Sequence, residues 1–449
     1  MNKNTRLAIL LPILFAIVFA FGIIIGAKVY NGNNKAFSMM NSTGNDKINN
    51  IINYIEENYV DTINRNKLVS QTVDAMLQTL DPHSTYIPEE EFKATNESLE
   101  GSFEGVGIEF NIQRDTIMVV NAIPGGPSDK LGITAGDRII KIDGKNVAGI
   151  KISNKEVFKK LRGKKDTKVK VAILRPGNKK PAEYTIIRDK IPSKSIDTYF
   201  MINQEVGYIK LSKFSQTSYE EFMEGTQYLK KHGMKKLVFD LRGNGGGFLN
   251  TAIDISNEFL EKGKLIVYTE GRERPRHEYL AEKNGSLKDV KLMILIDEFS
   301  ASASEIVSGA IQDNDRGTVV GRRSFGKGLV QEQMQLPDGS AIRLTVARYY
   351  TPTGRCIQKP YTDGVGEYYN DFSKRFSDGE LENKDSIHFN KKLKYKTPKG
   401  KIVYGGGGIM PDVFIPLDTT GGSTYFSHLS TQGLINQFAF NYTLSLIHI

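Results

Sequence analysis

Along the chain the apolar positions change their spacing several times, and each change marks a different kind of element. Leu7 to Ala27 is a block of apolar residues without a charge, preceded by Lys3 and Arg6. About twenty such residues span a bilayer, so residues 1–30 read as an uncleaved transmembrane anchor or a signal peptide, and the length and the lack of a small-x-small cleavage site favour the anchor. Positive charge before it and a long polar remainder after it predict a body outside the cytoplasm. Asn31 to Asp46 is a polar tether. Ile48, Ile51, Ile52, Ile55 and then Leu68, Val73, Met76, Leu77, Leu80 recur at helical spacing and predict two amphipathic helices within a region ending near residue 99. Asp81-Pro82-His83-Ser84 ends the second, because proline disfavours helical geometry in the residue before it.

From Gly101 to about Ile191 the pattern becomes short strands and turns. Beyond Ile191 it is α/β: apolar strands at 206–211, 236–242, 265–268 and 292–296 alternate with helical stretches at 219–231 and 249–260. Leu292-Met293-Ile294-Leu295-Ile296 is an unbroken apolar run closed by Asp297, the pattern of a strand buried on both faces.

Composition narrows the class. The 449 residues exceed one ordinary core, and 39% hydrophobic with 25% charged residues describes a folded chain of two or three domains. A formal charge of +9 favours anionic surfaces such as lipid, but no nucleic-acid arm is present. The densest basic run, Lys391, Lys392, Lys394, Lys396, Lys399 and Lys401, reads as a solvated loop. One cysteine, Cys356, excludes an internal disulfide and any multi-cysteine metal site; beside it only Arg355 would lower a thiol pKa.

Candidate chemistry gathers between Lys291 and Gln331. The strand ending at Asp297 feeds Ser300-Ala301-Ser302-Ala303-Ser304-Glu305 and then a helical pattern carrying Ile306, Val307, Ala310 and Ile311. Such a turn exposes a side chain, and the first free N–H groups of the helix stabilise developing negative charge. Ser302 with Glu305 also fits a capping box, a structural role compatible with catalysis. Lys327 lies between Gly326 and Gly328, where another group can approach it closely. Gly321 to Lys327 matches the phosphate-loop spacing G-x-x-x-x-G-K, but Gly328 replaces the magnesium-binding hydroxyl. Residues 329–336 partly alternate apolar and polar and run into Pro337-Asp338-Gly339 as a strand and turn, whereas a phosphate loop opens a helix. The glycines of Gly243-Asn244-Gly245-Gly246-Gly247, at another strand end, suit a loop that approaches a substrate with its backbone. His83 beside Ser84 reads as a turn histidine, since neighbours do not present both groups to one substrate atom.

Further segments complete a resemblance. Gly105-Val106-Gly107-Ile108-Glu109-Phe110, Pro124-Gly125-Gly126-Pro127-Ser128 and Ala135-Gly136-Asp137 through Gly144 resemble a PDZ domain over 100–191, whose loop offers N–H groups to a peptide carboxylate while a strand edge pairs with the peptide. Together with Asp81-Pro82-His83-Ser84-x-Tyr86, Asp240 to Gly247, Ser300 to Ile306, Gly321 to Gln331, Tyr350 to Arg355 and Gly408 to Val413, the chain resembles the carboxy-terminal processing proteases. The resemblance implies an α/β (α+β) multidomain protein: anchor, helical N-terminal segment, PDZ domain, and a serine–lysine protease core of the ClpP/crotonase-like type over 192–420. It implies Ser302 as nucleophile, Lys327 as general base and Gln331 as the residue orienting the lysine. Oxyanion donors would be the N–H groups of Ala303 and of Gly245 or Gly246, and Gly105, Val106, Gly107 and Ile108 would bind peptide. Asp313, an acidic position of the family, reads as structural at its helix end.

A lysine of ordinary pKa, about 10.4, is protonated at neutral pH and accepts no proton from serine. A desolvated Lys327 held by neutral Gln331 is therefore expected. No cofactor, metal or nucleotide is required. The expected partners are extracytoplasmic proteins or peptides with apolar C-termini, the inner membrane through the N-terminal helix, and no nucleic acid; a homo-oligomer or an adaptor protein is compatible with the family. Peptide binding to the PDZ domain would shift the core from resting to active. The alternative from another class is a catalytically silent peptide-binding scaffold, against which Ser302, Lys327 and Gln331 at the matching positions speak. The final residues Leu444 to Ile449 have no folding rationale and match a translated transposase sequencing adapter, so residues 421–449 are expected to be a truncated C-terminal region and His448 carries no role.

Overall fold

A computed structural model of the chain describes residues 15–26, 44–388 and 390–447. It divides into two compact units, Met1–Thr79 and Leu80–Ile449. In the first, residues 15–26 are helical, and the two expected amphipathic helices are Gly44–Asn58 and Arg65–Gln78. Asn64 caps the second by accepting the Lys67 N–H at 3.0 Å. Among the described residues no helix is long and apolar enough to cross a membrane. The apolar block 7–27 and the tether 31–46 fall partly outside the described residues.

In the second unit, helix Glu89–Glu100 ends at Gly101, in the left-handed conformation, and leads into the PDZ region. Its strands Ile108–Gln113, Thr116–Ala122, Arg138–Ile142, Lys168–Leu174 and Ala182–Ile187 pair in that order, all antiparallel. Alternation decides which side is core: Val169 and Val171 are buried while Lys168 and Lys170 face water. Helix Asn154–Leu161, started by a Ser153–Glu156 capping box, places Val157 and Leu161 in the same core as Ile117, Val119 and Ile139. The chain enters along Ser102–Gly105 and leaves along Asp189–Pro192, and these two stretches pair as an antiparallel ribbon.

Beyond the ribbon lies the larger core, with strands β1 (Ile196–Met201), β2 (Val206–Leu211), β3 (Lys236–Asp240), β4 (Leu265–Gly271), β5 (Arg274–Leu280), β6 (Lys291–Ile296), β7 (Thr318–Gly321), β8 (Leu329–Gln335), β9 (Ala341–Tyr350) and β10 (Val413–Phe414). Its helices are α1 (Ser218–Lys231), α2 (Leu249–Phe259), α3 (Ala303–Asp313) and α4 (Val365–Ser377). One sheet has the order β1-β2-β3-β6-β7-β10, parallel throughout except for β1. Phe222 of α1, Ile255 and Phe259 of α2 and Ile306 and Val307 of α3 share one core with Ile209, Phe239, Ile294 and Val319 of the sheet. The expectation that strand 292–296 is buried on both faces is corrected here. Ile294 and Ile296 are fully buried, but Met293, on the other face, is 39% exposed, because all three helices stack against a single side.

A second, antiparallel sheet runs Thr85–Ile87, β9, β4, β5, with β8 also paired to β9. The segment just after Asp81-Pro82-His83-Ser84 is thus a strand of the core. As expected, residues 329–335 form a strand and Gly339 turns it back into β9. The loops after β3, β6 and β7 leave the parallel sheet at one edge, where ligands of open α/β sheets bind.

Candidate active site

The turn after β6 is built by side chains that bond to backbone. Asp297 Oδ1 accepts the N–H groups of Phe299 and Ser300, both at 3.1 Å, and of Gly243 at 2.9 Å. The Ser300 hydroxyl donates to the Leu241 carbonyl at 2.9 Å, and the Ser304 hydroxyl to the Asn244 carbonyl at 2.9 Å. Both serines thereby fasten the turn to the glycine loop after β3. Ser302, between them, has φ 57° and ψ −113°, a conformation L-residues avoid at about 1–3 kcal/mol. The capping relation with Glu305 is present through the backbone: the Ser302 N–H donates to Glu305 Oε2 at 2.8 Å, and the Glu305 N–H to the Ser302 carbonyl at 2.8 Å.

Glu305 does more than start a helix. It is fully buried, and both carboxylate oxygens take two donors. Oε2 accepts the N–H of Ser302 at 2.8 Å and of Lys327 at 2.9 Å. Oε1 accepts the Ser324 hydroxyl at 2.5 Å and the Gly326 N–H at 2.8 Å. Two hydrogen bonds to one oxygen hold the backbone nitrogens of Ser302 and Lys327 within roughly 6 Å of each other. Tyr349 makes a second staple, its buried hydroxyl bonding to the carbonyls of Ser302, at 3.1 Å, and of Lys327. Burial pushes the Glu305 carboxyl above its ordinary pKa, and the donors around it work in the opposite direction.

Lys327 Nζ donates to Gln331 Oε1 at 2.9 Å. Its pKa is lowered, first by desolvation and then by the charge of Arg343; Glu305 and Asp81 oppose this. Gln331 Nε2 donates to the His83 carbonyl at 2.6 Å. His83 sits in a turn whose Asp81 Oδ1 accepts the His83 and Ser84 N–H groups at 2.8 and 2.9 Å. Burial, and then the charge of Lys327, lower the His83 pKa to about 4, so its imidazole is neutral at pH 7. The close approach expected around Lys327 is present: a Cβ on Gly328 would lie 2.9 Å from the Gln358 nitrogen.

The glycine loop touches the turn directly. A Cβ on Gly246 would lie 2.8 Å from Ser302 Cβ and 3.0 Å from the Ala303 nitrogen. The Gly246 N–H donates to Asn244 Oδ1 at 2.9 Å, while among the described residues no hydrogen bond engages the Gly245 N–H. In the PDZ region, Val106 and Gly107 lie between two strands with Gly105 and Ile108 beside them. The loop is pinned by its carbonyls: Val106 O accepts the Ser128 hydroxyl at 2.7 Å and Gly107 O the Ile123 N–H at 3.0 Å. Phe110 and Phe158, with ring centres 5.2 Å apart, meet edge to face between the adjoining strand and helix.

Asp313 forms a fully buried ion pair with Arg355 at 2.6 Å and accepts the Thr353 hydroxyl at 2.6 Å, which fits a structural role. Burial raises the Cys356 thiol pKa, the reverse of activation. Among the described residues no cluster of His, Cys, Asp or Glu is arranged to hold a metal ion. His448 lies outside the described residues. The sequence reading did not find the joint role of Glu305, the Tyr349 staple or the His83 carbonyl. Only Glu305 left a local signal, the capping-box spacing.

Comparison with known proteins agrees with this architecture. Peptidase family S41 matches residues 205–366, a PDZ domain matches 118–175, and the N-terminal domain of the activating protease CtpB matches 26–91. The carboxy-terminal-processing protease of Bartonella bacilliformis is 38% identical over 313 residues, covering 69% of this chain and 71% of its own. The carboxy-terminal processing protease CtpA of Bacillus subtilis is 36% identical over 322 residues, covering 71% and 68%. Among solved structures, a photosystem II D1 C-terminal processing protease is 26% identical with a TM-score of 0.41, covering 82% of this chain and 87% of its own. With its PDZ domain and its strand–turn–helix core, the chain belongs to the carboxy-terminal processing proteases, serine-type peptidases of family S41.

Proposed function

We propose that this chain cleaves proteins near their C-termini through an acyl-enzyme, with Ser302 as nucleophile and Lys327 as general base. The observation that carries this reading is the convergence at Glu305, which ties the Ser302 and Lys327 backbones to one oxygen while the lysine amine is desolvated and bonded to a neutral amide. A neutral Lys327 Nζ takes the proton of the Ser302 hydroxyl as Oγ attacks the scissile carbonyl. The oxyanion is received by the N–H groups of Ala303, at the start of α3, and of Gly245, since Gly246 is already bonded to Asn244. The departing amine takes the proton back from Lys327, and water releases the acyl group by the same route. Lys327 Nζ is bonded to Gln331 here, and the serine–lysine hydrogen bond is expected to form with substrate in place.

The loop Gly105-Val106-Gly107-Ile108 would receive a peptide carboxylate, with the Phe110–Phe158 pair favouring apolar end residues. Peptide binding there would shift the core to its active state, and deletion of residues 101–191 is expected to abolish dependence on the tail. The charge-free block 7–27 after Lys3 and Arg6 supports an anchored protein acting outside the cytoplasm. The decisive experiment incubates a tailed peptide with wild type, Ser302→Ala and Lys327→Ala. Binding by all three and cleavage by wild type alone is the expected result. Binding without cleavage by any would establish a scaffold, and cleavage by either variant would remove that residue from its role.

A further inference from the structure

A glutamine next to a catalytic lysine has a hidden requirement. Its amide carries an acceptor on one side and donors on the other, and the two are nearly equal in shape. With Oε1 toward the lysine, the amide accepts an N–H and leaves the amine lone pair for the serine proton. With Nε2 toward the lysine, it donates into that lone pair and blocks the base. Something must choose between the two orientations.

Nothing on β8 itself makes the choice. The group on the far side of the amide is the backbone carbonyl of His83, 2.6 Å from Gln331 Nε2. A carbonyl cannot donate, so only the productive orientation satisfies it, and the reverse would oppose two oxygen acceptors at that distance. This carbonyl belongs to a turn held from two sides. On the sheet side, Asp81 Oδ1 accepts the His83 N–H and the Thr345 hydroxyl of β9, at 2.8 and 3.1 Å. On the helix side, Tyr369 of α4 donates its hydroxyl to the Pro82 carbonyl at 2.9 Å. Tyr368, one residue earlier, bonds to His83 Nε2 at 2.8 Å, with the two rings edge-on.

We propose that the Asp81–Ser84 turn is a positioning element of the active site: the His83 backbone carbonyl fixes the Gln331 amide so that it presents an acceptor to Lys327, and Tyr368 and Tyr369 of α4 clamp that carbonyl in place. This deepens the reading of Lys327 as general base and rests on it. His83 acts through its backbone, so the imidazole is not a proton carrier in the reaction.

The test loosens the clamp without touching Gln331 or Lys327. Tyr368→Phe, Tyr369→Phe and the double variant keep both rings and remove the hydroxyls. With the full chain and a tailed peptide, the double variant is expected to lower kcat about tenfold with KM unchanged. It should also move the acidic limb of the kcat–pH profile downward by about one pH unit, because an amide that no longer offers Lys327 an acceptor stabilises its ammonium form less. In a Gln331→Ala background the same double variant should add no further loss, the non-additivity of residues acting through one another. A phosphonylating serine probe, scored for its pH of half-maximal labelling, reads the same shift without turnover. A lowered Tm with the pH limb and labelling midpoint unmoved would show a merely structural clamp and overturn the proposal, as would additive losses. If Lys327→Ala remains inactive in that outcome, the base assignment stands and only the positioning role is lost. Should Lys327→Ala cleave, both fall.

Discussion

Replacing Glu305 by glutamine tests how the two halves of the active site are joined. The carboxylate accepts two donors on each oxygen and has no contact with solvent. An amide must put its NH₂ group in place of one oxygen. On the Oε2 side it would face two N–H groups, from Ser302 and Lys327, neither of which can turn. On the Oε1 side it would face one N–H, from Gly326, and the Ser324 hydroxyl, which can rotate to accept. The second orientation is cheaper and loses one charge-assisted hydrogen bond, about 1.5–3 kcal/mol, leaving the Gly326 N–H unpaired. Relief of the buried charge, whose pKa burial already raises, returns part of this. A net loss of about 2 kcal/mol is expected, lowering Tm by roughly 4–8 °C for a domain of this size. Because Gly326 precedes Lys327, the lysine backbone shifts with it, and a displacement near 1 Å lowers kcat about 10²-fold. Thermal unfolding and steady-state hydrolysis of a tailed peptide measure both, with KM expected to stay near wild type. If Glu305→Gln kept Tm within about 1 °C and kcat within twofold of wild type, the carboxylate would not be what joins Ser302 to Lys327.

The same geometry sets three further expectations. Since desolvation lowers the Lys327 pKa, the neutral base appears on raising pH before the ordinary value near 10.4; kcat should rise with pH through one ionisation below that value, and an activity threshold at or above it would contradict the desolvated base. Ser300→Ala and Ser304→Ala each remove a buried hydroxyl-to-carbonyl bond, so each should destabilise by about 1–2 kcal/mol yet retain cleavage, and loss of acylation in either without loss of fold would shift the nucleophile away from Ser302. Ser302→Gly should be more stable than Ser302→Ala by about 1 kcal/mol in denaturant melts, because only glycine adopts φ 57°, ψ −113° without strain; equal stabilities would show the turn to be relaxed.

The sequence by itself determined the local elements. The apolar run before Asp297, the small-residue turn and the helical spacing after it specify a strand–turn–helix. Alternation from Leu329 to a Pro337-Asp338-Gly339 turn specifies a strand, and a strand directly after Lys327 is incompatible with the phosphate-loop reading of its spacing. These readings depend on periodicities of two and 3.6 residues, which are properties of neighbours along the chain. Gln331 meets Lys327 through the fold and not through strand alternation, since Lys327 precedes β8 and the strand's pairing shifts register between Val330 and Gln331. Tertiary structure decided what no periodicity encodes. Which face of β6 is covered depends on where three separate helices stack, and Met293 is exposed for that reason. Only the folded chain sets Glu305 between Ser302 and Lys327, and Tyr349 against both their carbonyls. The bond from Gln331 to His83 joins positions 248 residues apart and ends on a backbone oxygen, an atom every residue possesses, so no residue type could have announced it.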